Sequence, residues 1–87
     1  MPLNCEAAPG SFIPVRVITE SGWPVALWEG NRRSTILGLV RSWQGQAPIA
    51  GESGWCVFYE MRVRDRGTVQ LLLVVQSGCW YLEAPLG

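Results

Sequence analysis

The sequence predicts an all-β domain, and three observations predict it. Apolar and polar residues alternate with period two from Phe12 onward, no stretch carries a helical period, and short turn signals recur along the chain. The 87 residues hold one domain at most, with 48% hydrophobic residues and no net charge. That composition excludes a disordered tail and a polybasic nucleic-acid arm.

Met1 to Ser11 carries two prolines, a glycine and small residues, and reads as a flexible lead-in covering residues 1–11. Residues 12–87 read as a single small β-barrel domain. Phe12 to Glu20 is the first strand, with Pro14 marking an edge or irregular start. Ser21-Gly22 is a two-residue turn. Trp23 to Glu29 is the second strand, closed by Gly30-Asn31. Arg33 to Trp43 is a long third strand in which Gly38 signals a bulge or bend. Gln44 to Gly54 is the one substantial loop. Trp55 to Arg64 is the fourth strand, Asp65-Arg66-Gly67 a turn, and Thr68 to Gln76 the fifth strand. Ser77-Gly78 turns the chain into the last strand, Cys79 to Ala84. Tight turns join neighbours, so the six strands form an antiparallel meander. A flat sheet would leave two edges bare, and closure removes them. The expected fold is therefore a small SH3-like barrel or a strongly coiled roll.

The alternation also predicts a register. A three-residue turn at 65–67 sets Val63 against Val69, Met61 against Leu71, Tyr59 against Leu73 and Val57 against Val75. A two-residue turn at 77–78 sets Val75 against Trp80 and Leu73 against Leu82. Across the long loop, Trp43 meets Trp55, Leu39 meets Tyr59 and Leu37 meets Met61. One face is then uniformly apolar. The opposite face carries Ser34, Glu60, Arg62 and Arg64 at one end. Its remainder is greasy: Ile36, Val40, Phe58, Leu72, Val74 and Tyr81. The run Leu71-Leu72-Leu73-Val74-Val75 implies a strand buried on both sides. These outer apolar residues form the candidate interaction face, to be covered by the lead-in, by barrel curvature, by a second copy in a homodimer, or by a partner protein.

Chemistry is sparse. The chain has no histidine and no lysine, so a serine or cysteine nucleophile has no ordinary base. Glu60 and Glu83 share the outer face and read as a rim. Cys5, Cys56 and Cys79 are odd in number and widely spaced, too few for a zinc site, and are expected as free thiols in a reducing cytoplasm. No metal, cofactor or enzymatic activity is expected. No signal peptide is visible, and the longest apolar run is too short to span a bilayer, so the expected location is cytoplasmic with no membrane partner. Trp43, Trp55 and Trp80 fit core positions, whereas Trp23 and Trp28 sit beside turns.

All seven basic residues are arginine. Arg32, Arg33, Arg62, Arg64 and Arg66 converge on one end of the meander, near Trp28, and form a candidate nucleic-acid-binding cluster. The neutral composition makes this the second reading. The first is a non-enzymatic interaction module that joins a partner or itself through the outer apolar face or an exposed edge.

Several features recur in order. Pro24-Val25 leads to Trp28-Glu29-Gly30, then Arg32-Arg33, Ile36-Leu37, Val40 and Trp43. Trp55, Phe58-Tyr59, Met61, Val63 and Gly78-x-Trp80-Tyr81-Leu82-Glu83 follow. Over roughly residues 12–84 this pattern resembles a group of short bacterial proteins of unknown function commonly encoded near Y-family (translesion) DNA polymerases. The resemblance implies a DNA-repair setting with a repair-protein partner. It implies no catalytic residues.

Overall fold

The structure is a computed structural model that describes residues 12–46 and 54–83. Six strands follow in order: β1 (Phe12–Glu20), β2 (Trp23–Glu29), β3 (Arg32–Gln46), β4 (Trp55–Val63), β5 (Gly67–Val74) and β6 (Cys79–Glu83). Each pairs antiparallel with the next, and β1 pairs with β6, so the meander closes into a barrel. The expected lead-in at 1–11 and most of the long loop lie outside the described residues.

Every strand has two neighbours, but β1 and β3 meet theirs along successive stretches. Phe12–Val15 of β1 pairs with β6, while Arg16–Glu20 pairs with β2. Arg32–Thr35 of β3 pairs with β2, and the strand beyond it pairs with β4. The first turn is built for its strands. Ser21 and Gly22 both have positive φ, 51° and 83°, as a tight I′ hairpin turn requires. Ser21 accepts this conformation although it has a Cβ.

The predicted faces of β4, β5 and β6 hold, but the predicted pairs do not. Met61 opposes Val69, Tyr59 opposes Leu71 and Leu73 opposes Trp80. Both hairpins are slid by two residues from the expected register. The reason lies in the turns. Val63 already pairs with Gly67, and the Arg66 N–H donates to Val63 O at 3.2 Å, so the turn spans 64–66. Likewise the Gly78 N–H donates to Val74 O at 2.8 Å, closing a four-residue loop. A slip of two keeps every side chain on its face, which is why alternation could not detect it.

The β3–β4 register differs more. Ladder irregularities fall between Ile36 and Gly38 and between Leu39 and Arg41. Each places an extra residue on β3. Trp43 therefore opposes Phe58, not Trp55, and their rings stack at 5.3 Å between centroids. Ile36 enters the core, whereas Leu37, Leu39 and Val40 are exposed. Trp55 and Val75, also expected inside, are exposed.

Two apolar clusters result. The barrel interior is filled by Val15, Leu27, Ile36, Met61, Val63, Leu71 and Leu82, with Val17, Tyr59, Val69 and Trp80 packed against them. The other cluster, on the outer face of the main sheet, comprises Cys56, Leu72, Val74, Cys79 and Tyr81, flanked by Phe12 and Phe58. β5 is thus buried on both faces, with Leu71, Leu72 and Val74 inaccessible. Cys56 is a free thiol, and its Sγ donates to Gly45 O at 3.3 Å. Cys79 is disulfide-bonded, which corrects its expected place among the free thiols. Disulfides are uncommon in reducing compartments, so the thiols no longer support a cytoplasmic location.

Leu71→Ala should cost about 2–5 kcal/mol of unfolding free energy in a urea titration, because it leaves a cavity at a fully buried site. Leu37→Ala, at an exposed site, should stay within about 0.5 kcal/mol. Burial also pushes the Cys56 thiol above its ordinary value of 9.0. The folded thiol then keeps its proton at pH values where the unfolded thiol has lost it, so stability should fall as pH rises past the ordinary value. Cys56→Ala should flatten that alkaline fall in the same titration run across pH.

Candidate interaction surfaces

The two predicted sites fare differently. Of the outer apolar residues, Leu72, Val74 and Tyr81 are buried within the single chain and Phe58 is half-buried against Trp43. Ile36 belongs to the interior cluster, and Val40 is exposed. The set does not form one open face. Its members were expected together because Ile-Leu-x-Leu-Val at 36–40 has apolar residues of both parities, so alternation could not say which point inward.

The arginine cluster divides as well. Arg66, expected on the surface, is drawn into the end of the barrel with a side chain 13% exposed. Its Nε donates to Ser34 Oγ at 3.0 Å. Its Nη2 lies 2.8 Å from Glu29 Oε1 as an ion pair, off the line of a directed hydrogen bond. Ser34, expected outside, is buried beside it. This group ties the β4–β5 turn to β2 and β3. The Arg64 N–H reinforces the tie by donating to Thr35 O at 2.9 Å.

The remaining members stay at the surface. Arg32, Arg33, Arg62 and Arg64 are exposed, and Trp28 is half-buried. Trp28 pairs with Arg33 on one side and with Arg16 on the other, so the three residues form one row across three strands. Arg16 was not assigned to the cluster from the sequence, because the register of β1 against β2 was not legible there. Arg62 lies elsewhere, opposite Gly38 on β4, and lines an open groove of about 350 Å³ with Leu37, Gly38, Leu39 and Val40.

That groove marks a feature the alternation did not reveal. β2 accompanies β3 only as far as Thr35. From residue 37 to 46 no described strand pairs with the free side of β3. The barrel is closed, yet it carries an open sheet edge. Along this edge Leu37, Leu39 and Val40 are 52%, 39% and 47% exposed. Its one charged residue, Arg41, is neutralised by Glu60 at 2.9 Å and lies 4.6 Å from the Trp43 ring centroid. Glu60 thus faces an arginine and not a second carboxylate. Gln44 Oε1 accepts from Trp55 Nε1 at 2.8 Å, which holds the far end of β3 to β4.

Among the described residues, no group of three or more histidine, cysteine, aspartate or glutamate side chains could hold a metal ion. No helix there is long and apolar enough to cross a membrane. No protein-family model, curated protein or solved structure matches the chain.

Arg66→Ala should destabilise the fold by about 1–3 kcal/mol, since Ser34 and Glu29 lose a charged partner in a poorly hydrated place. Arg32→Ala should change stability by less than about 0.5 kcal/mol. Thermal or urea unfolding of the two variants measures the contrast.

Proposed function

We propose that this chain is a non-enzymatic interaction module that extends its own sheet through the free edge of β3. The observation that carries the reading is the stretch 37–46, whose side away from β4 pairs with no described strand, with exposed Leu37, Leu39 and Val40 beside it. Edge strands present rows of unpaired backbone donors and acceptors, and proteins that must stay apart guard them with lysine, proline or inward-pointing charge. This edge has no lysine and no proline, and its one arginine is already neutralised. The irregularities at 36–41 distort its first half, while the ladder from Arg41 to Gln46 runs regularly. The absence of histidine and lysine from the sequence favours a binding role over catalysis.

The occupant we propose is a second copy of β3, added antiparallel about a two-fold axis. Like strands can pair here because the segment carries no net charge once Arg41 is bound to Glu60, so two copies meet without repulsion. Such a symmetric contact is self-complementary. The groove beside Arg62 can receive an apolar side chain from the partner strand. A strand-to-strand contact of this length lies at the small end of specific interfaces, and we expect weak, reversible association. The resemblance to short proteins encoded near translesion polymerases supplies the proposed setting, an accessory role to a DNA-repair protein.

Sedimentation velocity across a wide dilution series should show a monomer–dimer equilibrium for the wild type. A Leu37→Lys/Val40→Lys double variant should keep its thermal stability within a few degrees and remain monomeric throughout. A wild type that is monomeric at every concentration removes the self-pairing.

A further inference from the structure

A second surface, remote from the function just proposed for the β3 edge, carries its own inference. Arg16, Trp28 and Arg33 stand in one row across β1, β2 and β3, because Arg16 pairs with Trp28 and Trp28 pairs with Arg33. The adjacent row, Val17–Leu27–Ser34, faces the interior, where Leu27 and Ser34 are buried. Side chains alternate across a strand, so the arginine–tryptophan row faces outward. The Arg16 guanidinium carbon lies 5.8 Å from the Trp28 ring centroid. Arg33 reaches toward Thr35 Oγ1, at 3.4 Å, two residues further along the same face. The Arg64 backbone is bonded to that same Thr35, which brings the β4–β5 turn alongside. Arg32, one residue before Arg33 and paired with Glu29, belongs to the opposite face of β3 and is not part of this row.

The charge balance here differs from that of the whole chain. Arg16, Arg32, Arg33 and Arg64 have no carboxylate within ion-pair distance among the described residues. Glu29, the carboxylate opposite Arg32, is held by Arg66. Asp65 is the one other acid in the neighbouring turn. A molecule of zero net charge thus concentrates unpaired guanidinium groups around one partly exposed indole.

We infer that this face binds single-stranded nucleic acid. Phosphates would be held by Arg16, Arg33 and Arg64, and a base would stack on Trp28 or on a guanidinium plane beside it. Guanidinium groups suit both tasks, since they pair with phosphate and stack on flat rings. Neighbouring strands are about 4.8 Å apart, so Arg16 and Arg33 stand roughly 10 Å from each other across Trp28. A strand laid over this row meets cation, ring and cation in turn. A duplex fits less well. Among the described residues this sheet face has no helix or projecting ribbon to enter a groove, and paired bases cannot reach the ring.

The test is fluorescence anisotropy with labelled oligo(dT) and with a duplex of equal length, at low and moderate salt. The wild type should bind oligo(dT) at low salt and release it as salt rises, with a log–log slope of about −2 for three phosphate contacts. The duplex should bind several-fold more weakly. An Arg16→Ala/Arg33→Ala double variant should bind at least about tenfold more weakly and lose about two thirds of the slope. Trp28→Leu, which keeps an apolar body at the site, should weaken binding about tenfold with the slope unchanged. Trp23→Leu, at an exposed tryptophan at the other end of β2, should leave binding as it is. Circular dichroism checks that each variant is folded. No binding at low salt overturns the inference. So does duplex binding equal to that of oligo(dT), full binding by the folded double variant, or loss of binding in Trp23→Leu equal to that in Trp28→Leu.

Discussion

The architecture rests on one constraint: six short strands close into a barrel only if each finds two neighbours, and in β1 and β3 the two ladders occupy successive stretches of the strand. β1 meets this by passing from β6 to β2 midway, and β3 by passing from β2 to β4. The two handovers have different local solutions. In β1 the pairing changes partner between Val15 and Arg16, and Val15 remains in the core. In β3 the change coincides with two ladder irregularities around Gly38. Bulges bend a strand and increase its twist, which lets one strand turn the corner between sheets. The exposure of Leu37 and Val40, the stacking of Trp43 on Phe58 and the open edge beyond Thr35 all follow from that corner.

Packing on both sides of β5 gives a chain of this size enough buried surface. Leu71 contributes to the interior, while Leu72 and Val74 contribute to the outer cluster. The strand therefore joins two cores that would each be marginal alone. The polar end is closed differently. Arg66 sends its guanidinium into the barrel mouth, where Ser34 and Glu29 receive it. An apolar plug would have needed no partners there. The ion pair adds direction, because it accepts one placement of the β4–β5 turn relative to β2 and β3.

The same economy shapes the surfaces. Greasy residues that alternation assigned to a binding face, notably Leu72, Val74 and Tyr81, are consumed in folding. What remains exposed lies where folding leaves something unused. One such place is the backbone edge of β3, left when β2 ends its ladder. Another is the outward row of sheet containing Trp28, where arginines meet no carboxylate among the described residues. The two differ in chemistry. The edge offers backbone hydrogen bonds and aliphatic contact, and the row offers cations and one indole.

The bounds of β1 and β2, the antiparallel order of six strands, and the inward face of β4 to β6 were all determined by the sequence itself. Period-two alternation and turn residues are local signals, and they suffice for those features. The double burial of β5 was legible for the same reason, in an apolar run with no polar break. Pair registers were not, because a slide by two leaves every side chain on its face. In β3, apolar residues of both parities at 36–40 left the inward set undecided until the bulges and the Trp43–Phe58 stack selected it. The arginine row needed tertiary structure too, since Arg16 joins Trp28 only through the β1–β2 ladder and Arg66 leaves the surface only through Ser34 and Glu29. Alternation records which way a side chain points relative to its neighbours in the chain. Which strand it meets is decided by closure, and closure is a property of the whole sheet.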